Sequence, residues 1–174
     1  GFSEGQTVLL YAADLSKRKN QPMLFRALAR LKERCPDLLL LLPGQPILQA
    51  EYEAQCAELG ISHMVRFLGY RRDIDRLLAA CDAVVSSSRQ EGLPLNLIEA
   101  AARGRFIIAT DVRGNADVVR QSGSGVLVTL NDDEAMAAEI ARLCTSAPEA
   151  PDRKNIECYD SRAIVKTLFE LYGI

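Results

Sequence analysis

The sequence predicts an α/β protein in which six parallel strands form one sheet covered by helices on both faces. Three observations lead to this prediction. Short apolar, β-prone segments alternate along the chain with segments whose apolar residues recur at helical spacing. The segment 38–42 is apolar throughout, which is typical of a strand buried on both faces. The length of 174 residues suits a single domain with a substantial core.

The predicted strands all end in polar or glycine-containing turns. The first is followed by the polar run from Asp14 to Asn20, the second by the turn PGQP, and the third ends at Gly69. We predict strands at residues 7–12, 38–42, 65–68, 83–86, 106–109 and 125–128. Ligands of parallel sheets bind outside the carboxyl ends of the strands. These turns therefore hold the candidate site.

Helices are predicted in the segments between the strands. In the first helix, apolar residues recur at helical spacing: Met23, Leu24, Ala27, Leu28 and Leu31. Proline suits the first turn of a helix that begins at Pro94, and glycine can end that helix at Gly104. Gly114 and Asn115 predict a turn before a short helix that begins at Ala116. The predicted helices are residues 21–34, 49–59, 94–104 and 132–143, with others beginning near Asp73, at Ala116 and at Ser161 after a loop at 145–154.

Composition and charge argue against several kinds of function. The net charge is −2 without a clustered basic excess, so nucleic-acid binding is not predicted. The longest apolar run, residues 38–43, is far shorter than the ~20 residues that span a membrane. Five cysteines without a CxxC pair and the single His63 argue against a disulfide framework and a zinc site. We therefore expect free thiols and a histidine at a surface or interface.

The segment 84–110 combines a strand, a polar turn and a helix in an order that suggests anion binding. Glu91 lies in the turn and Glu99 within the helix, which is apolar over most of its circumference and is expected to bury Glu99. The N–H groups of residues 95–97 and the positive end of the helix dipole form a site for phosphate. A phosphate beside two carboxylates suggests a nucleotide sugar or a similar polyol phosphate.

The string EGLPLNLIE, with Glu91 and Glu99 eight positions apart, resembles the E-x7-E signature of retaining GT-B glycosyltransferases of family 4. The longer string SSSRQEGLPLNLIEAAARGRFIIATDVRGNADVV is similar over the same strand, turn, helix and second strand. The spacing alone is common, and the order of elements makes it specific. The resemblance covers residues 7–172 and implies a single Rossmann-like domain. Residues 1–174 would be the C-terminal, donor-binding half of a GT-B enzyme, without its N-terminal acceptor domain.

The resemblance also implies roles for individual residues. Lys19 would contact the donor diphosphate together with the backbone amides of residues 92–95. Glu99 would accept hydrogen bonds from the ribose hydroxyls. Glu91, the implied catalytic residue, would position the sugar and stabilise positive charge as the glycosidic bond breaks. The implied donor-binding set also includes residues near the base and along the turn: Arg18, Gly44, Tyr70, Arg71, Gly92, Leu93, Pro94, Leu95 and Asn96.

Some implied roles have alternatives. Tyr70 either stacks on the base or packs against the next helix, and Gly44 either admits the nucleotide or serves as a turn glycine. Many relatives carry Gly-Arg where this chain has Ala13 and Asp14, and an acidic side chain there repels a diphosphate unless it faces elsewhere or binds a hydroxyl. Our hypothesis is that Arg18 or Lys17 supplies part of the missing positive charge.

By resemblance, the full enzyme would transfer a hexose-type sugar from a donor such as a UDP- or GDP-sugar to a glycan or lipid-linked acceptor. Anomeric configuration would be retained, no metal or other cofactor would be required, and the isolated domain would be inactive. The expected location is the cytoplasm, including the inner face of its membrane. Alternatives are a nucleotide-sugar epimerase of the same fold, a non-catalytic nucleotide-binding module, and a dehydrogenase, against which the absence of G-x-G-x-x-G argues. Base, sugar, acceptor and oligomeric state stay open.

Overall fold

Six parallel strands and the helices between them organise the part of the chain that the structure, a computed structural model, describes: residues 5–146 and residue 159. The strands are β1 (Thr7–Leu10), β2 (Leu38–Pro43), β3 (Val65–Gly69), β4 (Ala83–Ser86), β5 (Phe106–Thr110) and β6 (Gly125–Val128). The helices are α1 (Gln21–Leu31), α2 (Gln49–Glu58), α3 (Ile74–Ala80), α4 (Leu95–Ala102), α5 (Arg113–Ser122) and α6 (Asp133–Thr145). A short 3-10 turn at Ser62–Met64, which contains the exposed His63, precedes β3.

The strands lie in the order β3-β2-β1-β4-β5-β6, and every neighbouring pair is parallel. This is the order of a doubly wound nucleotide-binding sheet, in which the direction of strand addition reverses between β1 and β4. Leu9 pairs with Ala83 and Leu10 with Val84 across that point. The prediction of an α/β fold with a parallel sheet is confirmed. The turns after β1 and β4 therefore lie side by side, although they are far apart in the sequence.

Apolar cores cover both faces of the sheet, as the apolar strands predict. Leu9 and Leu40 face one core, to which α1, α2 and α6 contribute apolar side chains. Val8 and Leu39 face the other, which α3, α4 and α5 cover. Successive residues of a strand therefore pack into opposite cores, because their side chains point to opposite faces of the sheet.

Helix α5 differs most from the prediction. It begins at Arg113, so Gly114 and Asn115 lie in its first turn and not in a loop before Ala116. Asn115 is fully buried, and its amide nitrogen donates to the Thr110 carbonyl at 3.2 Å. These tertiary contacts override the low helix propensity of glycine and asparagine.

The other predicted elements agree with the structure to within three residues at each end. Helix α4 begins at Leu95, because Pro94 has a non-helical ψ of 88°, and it ends before Gly104, which has a φ of 65°. Residues 147–154 and the predicted helix at Ser161 lie outside the described residues.

Candidate functional site

A cavity of about 250 Å³ opens at the carboxyl edge of the sheet, where the strand order reverses. Its walls come from the segments after β1, β2 and β3 and from α4. Five of the residues singled out from the resemblance line it: Gly44, Tyr70, Arg71, Asn96 and Glu99. Asp14, where many relatives carry arginine, lines it as well. The structure thus gathers four distant parts of the sequence around one space.

Glu91 has two basic partners, both from the segment after β1. Lys19 Nζ donates to Glu91 Oε1 at 2.6 Å, and Arg18 Nη1 lies 3.3 Å from Glu91 Oε2. The side chains of Lys19 and Glu91 are only 13% and 7% exposed, whereas that of Arg18 is 53% exposed. The Ser88 hydroxyl also donates to Glu91 Oε1, at 2.6 Å. This cluster spans the switch point of the sheet.

The pKa of Glu91 reflects opposing effects. Partial burial favours the neutral acid and acts to raise the pKa, but the hydrogen bonds from Lys19 and Ser88 and the positive charges of Lys19 and Arg18 together outweigh burial. The pKa of Glu91 therefore lies below its ordinary value. The Glu91 carboxylate is therefore ionised at neutral pH, and the positive charges of Lys19 and Arg18 balance its negative charge.

Tyr11, which sequence reasoning did not single out, contacts this cluster through its hydroxyl. It is fully buried, and its hydroxyl donates to the Lys19 carbonyl at 2.9 Å. The same hydroxyl lies 2.7 Å from Ser88 Oγ. The Ser87 hydroxyl also donates to the Lys19 carbonyl, at 3.0 Å. The serine run after β4 thus has a structural purpose, since its hydroxyls hold the lysine segment beside Glu91.

Asn20 fixes the end of the lysine segment. Its φ of 55° is left-handed, a conformation that asparagine tolerates better than most residues. Its amide nitrogen donates to the Ser87 carbonyl at 3.1 Å, and its amide oxygen accepts from Arg89 Nη2 at 2.9 Å. The Arg89 backbone N–H donates to the Arg18 carbonyl at 2.9 Å. The turns after β1 and β4 are therefore joined through both backbone and side chains.

Asp14 is exposed at the cavity, and one of its carboxylate oxygens accepts from the Gln45 backbone N–H at 3.2 Å. The contact joins the turn after β1 to the turn after β2. Of the two cations proposed to replace the missing arginine, Arg18 points to Glu91 and to the Gln90 carbonyl. Lys17 is exposed. Whether either compensates for Asp14 in ligand binding stays a prediction.

Glu99 is exposed, which makes the expectation of a buried carboxylate wrong. The apolar face of α4 is buried through Leu97, Ala100 and Ala101, while Glu99 lies on the side that lines the cavity. Within the described residues its carboxylate has no hydrogen-bond or ion-pair partner. Its oxygens are therefore available to a ligand.

Gly44, Tyr70 and Arg71 line the same cavity. A Cβ atom on Gly44 would lie 2.0 Å from the Ala13 carbonyl oxygen, so the close approach of two backbone turns requires glycine here. Tyr70 is 65% exposed, which leaves its ring accessible from the cavity. Arg71 is paired with Asp73, at 2.7 and 2.8 Å.

The amino end of α4 offers fewer N–H groups than expected. The Leu97 N–H donates to the Pro94 carbonyl at 3.0 Å, so its predicted availability is wrong. The N–H groups of Leu95 and Asn96 have no acceptor in the part of the chain that is described. Pro94 is buried, and the other turn residues, Gly92 and Leu93, are exposed. Two N–H groups at the first turn of α4 thus remain to receive an anion.

Gly114, in α5, packs against the backbone of the turn that carries Glu91. Its N–H donates to the Glu91 carbonyl at 3.2 Å. A Cβ atom at this position would lie 2.7 Å from the Gly92 carbonyl oxygen and 2.8 Å from that of Glu91. Sequence reasoning assigned Gly114 to a turn and missed this contact, for which only the tertiary structure provides a signal.

Residues 5–146 and 159 contain no group of three or more histidine, cysteine, aspartate or glutamate side chains arranged to hold a metal ion. Nor do they form a helix that is both long and apolar enough to cross a membrane.

The strand order and the charged pair at the switch point place the chain in the class of doubly wound, Rossmann-like α/β domains. More specifically, the chain belongs to the family of group 1 glycosyl transferases, whose model matches residues 1–159. The confirmed family agrees with the resemblance found in the sequence.

Similar proteins include the "Putative glycosyltransferase EpsD" of Bacillus subtilis, 38% identical over 143 residues that make up 82% of this chain. A UDP-Gal:alpha-D-GlcNAc-diphosphoundecaprenol alpha-1,3-galactosyltransferase of Escherichia coli is 28% identical over 148 residues, also 82% of this chain. The crystal structure of Anabaena Alr3699/HepE in complex with UDP-glucose has a TM-score of 0.80 and 26% identity over 97% of this chain. The chain spans 38% of the length of both curated relatives and 49% of the HepE chain.

Proposed function

We propose that this chain binds the nucleotide-sugar donor of a glycosyltransferase, with the diphosphate at Lys19 and the nucleoside in the cavity that Glu99 lines. The observation that carries this proposal is the position of Lys19 and Glu91 together at the switch point of the sheet. Two N–H groups at the start of α4 and the ammonium of Lys19 suit a diphosphate. The accessible carboxylate of Glu99 suits ribose hydroxyls.

The test is an NMR titration of the isotopically labelled chain with UDP, GDP and ADP. We expect one nucleotide to shift the amides of Lys19, residues 92–96 and Glu99 together, which also identifies the base. Lys19→Met should weaken that binding, while Lys32→Met, the same change at the far end of α1, should not. If none of the three nucleotides moves these amides at millimolar concentration, the proposal is wrong for this chain.

In the longer enzyme, the chain serves as the C-terminal donor-binding domain and works with an N-terminal acceptor domain. That enzyme transfers a hexose-type sugar, with retention of anomeric configuration, to a glycan or lipid-linked acceptor. The E-x7-E resemblance supports retention, and the name of the Escherichia coli relative, which cites a diphosphoundecaprenol-linked sugar, supports the acceptor class. The isolated domain is inactive, because acceptor contacts are lacking. Proton NMR of the product's anomeric signal tests retention.

The transfer requires no metal ion in this proposal. The charge that develops on the leaving diphosphate is neutralised by Lys19, Arg18 and the amino end of α4. In metal-dependent enzymes a bound Mg²⁺ ion neutralises this charge. Full activity of the longer enzyme after treatment with EDTA is the expected result. Loss of activity that Mg²⁺ or Mn²⁺ restores would contradict it. A lipid-linked acceptor also places the enzyme at the inner face of the cytoplasmic membrane.

A further inference from the structure

Glu91 and a donor diphosphate compete for the same cations. Lys19 and Arg18, the cations proposed to neutralise the diphosphate, both contact the Glu91 carboxylate. A lysine ammonium 2.6 Å from a largely buried carboxylate is already neutralised. A diphosphate that binds Lys19 must therefore weaken this pair or share its charge. Glu91 would then remain largely buried, with fewer cations in contact with its carboxylate and with an anion nearby.

Two hydroxyl groups, hydrogen-bonded in series to the Glu91 carboxylate, can adapt to a change in its protonation. Three contacts run in a line: Glu91 Oε1 to Ser88 Oγ, Ser88 Oγ to Tyr11 Oη, and Tyr11 Oη to the Lys19 carbonyl. Ser88 and Tyr11 together supply two hydrogens for these three contacts. When Glu91 is neutral, its own proton is the third, and each oxygen donates to the next. When Glu91 is ionised, Ser88 donates to it, and Lys19 supplies the remaining positive charge.

We infer that Glu91 takes up a proton when the donor diphosphate binds, because the diphosphate draws Lys19 and Arg18 away from it. The Ser88 hydroxyl then turns its hydrogen from Glu91 to Tyr11, while Tyr11 continues to donate to the Lys19 carbonyl, so both are positioning residues for a neutral Glu91. The neutral acid has a hydrogen to donate where an ionised carboxylate only accepts. This inference rests on the proposed function, since it requires a diphosphate at Lys19.

Three effects act in the same direction when the diphosphate binds. Removal of opposite charge, addition of a negative charge and further exclusion of water each favour the neutral form of a carboxyl group. Within residues 5–146, the charged groups that contact the Glu91 carboxylate are Lys19 and Arg18, both from the segment after β1. Burial raises the pKa of Tyr11 to about 12, so its phenol keeps its proton throughout. From α5 the contact is the uncharged N–H of Gly114.

Isothermal titration calorimetry of the 174-residue chain tests the inference. UDP-glucose, GDP-mannose and ADP-glucose are the probes, because a sugar diphosphate diester has no group of its own that titrates near neutral pH. Each titration is run in two buffers of different ionisation enthalpy at about pH 5.5, above the ordinary carboxyl pKa of about 4.3. The difference in heat between buffers gives the number of protons taken up. The corresponding nucleosides, which lack the diphosphate, are the ligand controls.

Two matched variants assign the proton to one residue. Glu91→Gln resembles the neutral acid in shape and in its ability to donate, and it cannot titrate. Glu58→Gln makes the same chemical change on an exposed carboxylate at the carboxyl end of α2, outside the cavity. We expect proton uptake with the wild type and with Glu58→Gln, and none with Glu91→Gln or with the nucleosides.

The affinity for the sugar nucleotide should depend on pH for the same reason. Wild-type affinity for the sugar nucleotide should rise by up to about tenfold for each pH unit lowered, and that of Glu91→Gln should not change with pH. At pH 7, Glu91→Gln should bind more than about tenfold more tightly than wild type, because wild-type binding must protonate a carboxyl group whose pKa in the free chain lies below its ordinary value of about 4.3. Nucleoside affinity should be the same for both.

The outcomes separate the inference from the function on which it rests. Sugar-nucleotide binding without proton uptake, or weaker binding by Glu91→Gln at neutral pH, overturns the inference and leaves the donor site intact. Proton uptake that persists in Glu91→Gln assigns the proton elsewhere and also overturns it. The absence of binding by all three sugar nucleotides overturns the proposed function of this chain and the inference with it.

Discussion

Replacing Gly114 by alanine should move Glu91 without unfolding the protein. The added Cβ would lie 2.7 Å from the Gly92 carbonyl oxygen, where ordinary van der Waals contact begins at 3.4 Å. The difference, 3.4 − 2.7 = 0.7 Å, is the distance by which the turn or the helix must retreat. All three nearest atoms belong to the backbone of the turn that carries Glu91, so rotation of a side chain cannot relieve the contact.

The effect on stability is small because two terms oppose each other. Overpacking costs about 1–3 kcal/mol. Alanine is favoured over glycine within a helix by roughly 1 kcal/mol, and Gly114 lies in the first turn of α5. The net loss is therefore about 0–2 kcal/mol. The effect on the site is larger, because this turn leads into the first turn of α4. A shift of 0.7 Å would lengthen the hydrogen bonds that the N–H groups there are proposed to make with the diphosphate beyond ordinary range.

Urea unfolding and NMR titration with the nucleotide that binds wild type would measure the two effects separately. We expect a modest loss of stability and about a tenfold loss of affinity, equal to about 1.4 kcal/mol. Gly92→Ala is the stability control, because a Cβ there meets no atom within 4 Å. Should Gly114→Ala keep both wild-type affinity and wild-type shifts for Lys19 and Glu91, the turn is not held by this contact and the reasoning fails.

Other predictions concern the backbone turns and the acid dependence of stability. Gly44→Ala should destabilise the protein by about 3 kcal/mol or more in urea unfolding, because its Cβ would lie 2.0 Å from a backbone oxygen; stability like that of Gly92→Ala would contradict this. Asn20→Gly should be less stable than wild type but more stable than Asn20→Ala by about 1 kcal/mol, since glycine adopts the left-handed φ of 55° without strain; equal stabilities would show that strain is not the cause. The pKa of Glu91 is lower in the folded than in the unfolded chain, so its ionised form stabilises the folded state at pH values above the unfolded pKa. The free energy of unfolding of wild type should therefore exceed that of Glu91→Gln by less as the pH drops from about 7 to 3. A difference that grows on acidification would contradict this reasoning.

The strands could be predicted because each is a short apolar run between turn residues. The bounds of β4 and β6 are those expected from the sequence, Ala83–Ser86 and Gly125–Val128. Local pattern was sufficient there, since a strand in a buried parallel sheet needs apolar residues on both faces. It was insufficient for α5, where the buried amide of Asn115 and the close packing of Gly114 favour a helix that propensity does not.

The expectation that Glu99 is buried failed because it was argued from composition around the helix. An apolar circumference indicates burial only where another element covers it. Leu95, one turn before Glu99, is 63% exposed, so this side of α4 is uncovered and faces the cavity. The same error explains why the carboxylate was expected to need a partner. Its accessibility strengthens the case for a ligand contact.

The pairing of Lys19 with Glu91 was beyond sequence reasoning for a topological reason. The two residues are 72 positions apart, and they meet because β1 and β4 are neighbours in the sheet although β2 and β3 lie between them in the chain. Each could be assigned a ligand contact separately, one to phosphate and one to sugar. Once they are paired at 2.6 Å, neither assignment is independent of the other, because a ligand that takes the cation changes the charge of the acid. We therefore expect donor binding and the protonation of Glu91 to be thermodynamically linked, so that neither can be measured without the other.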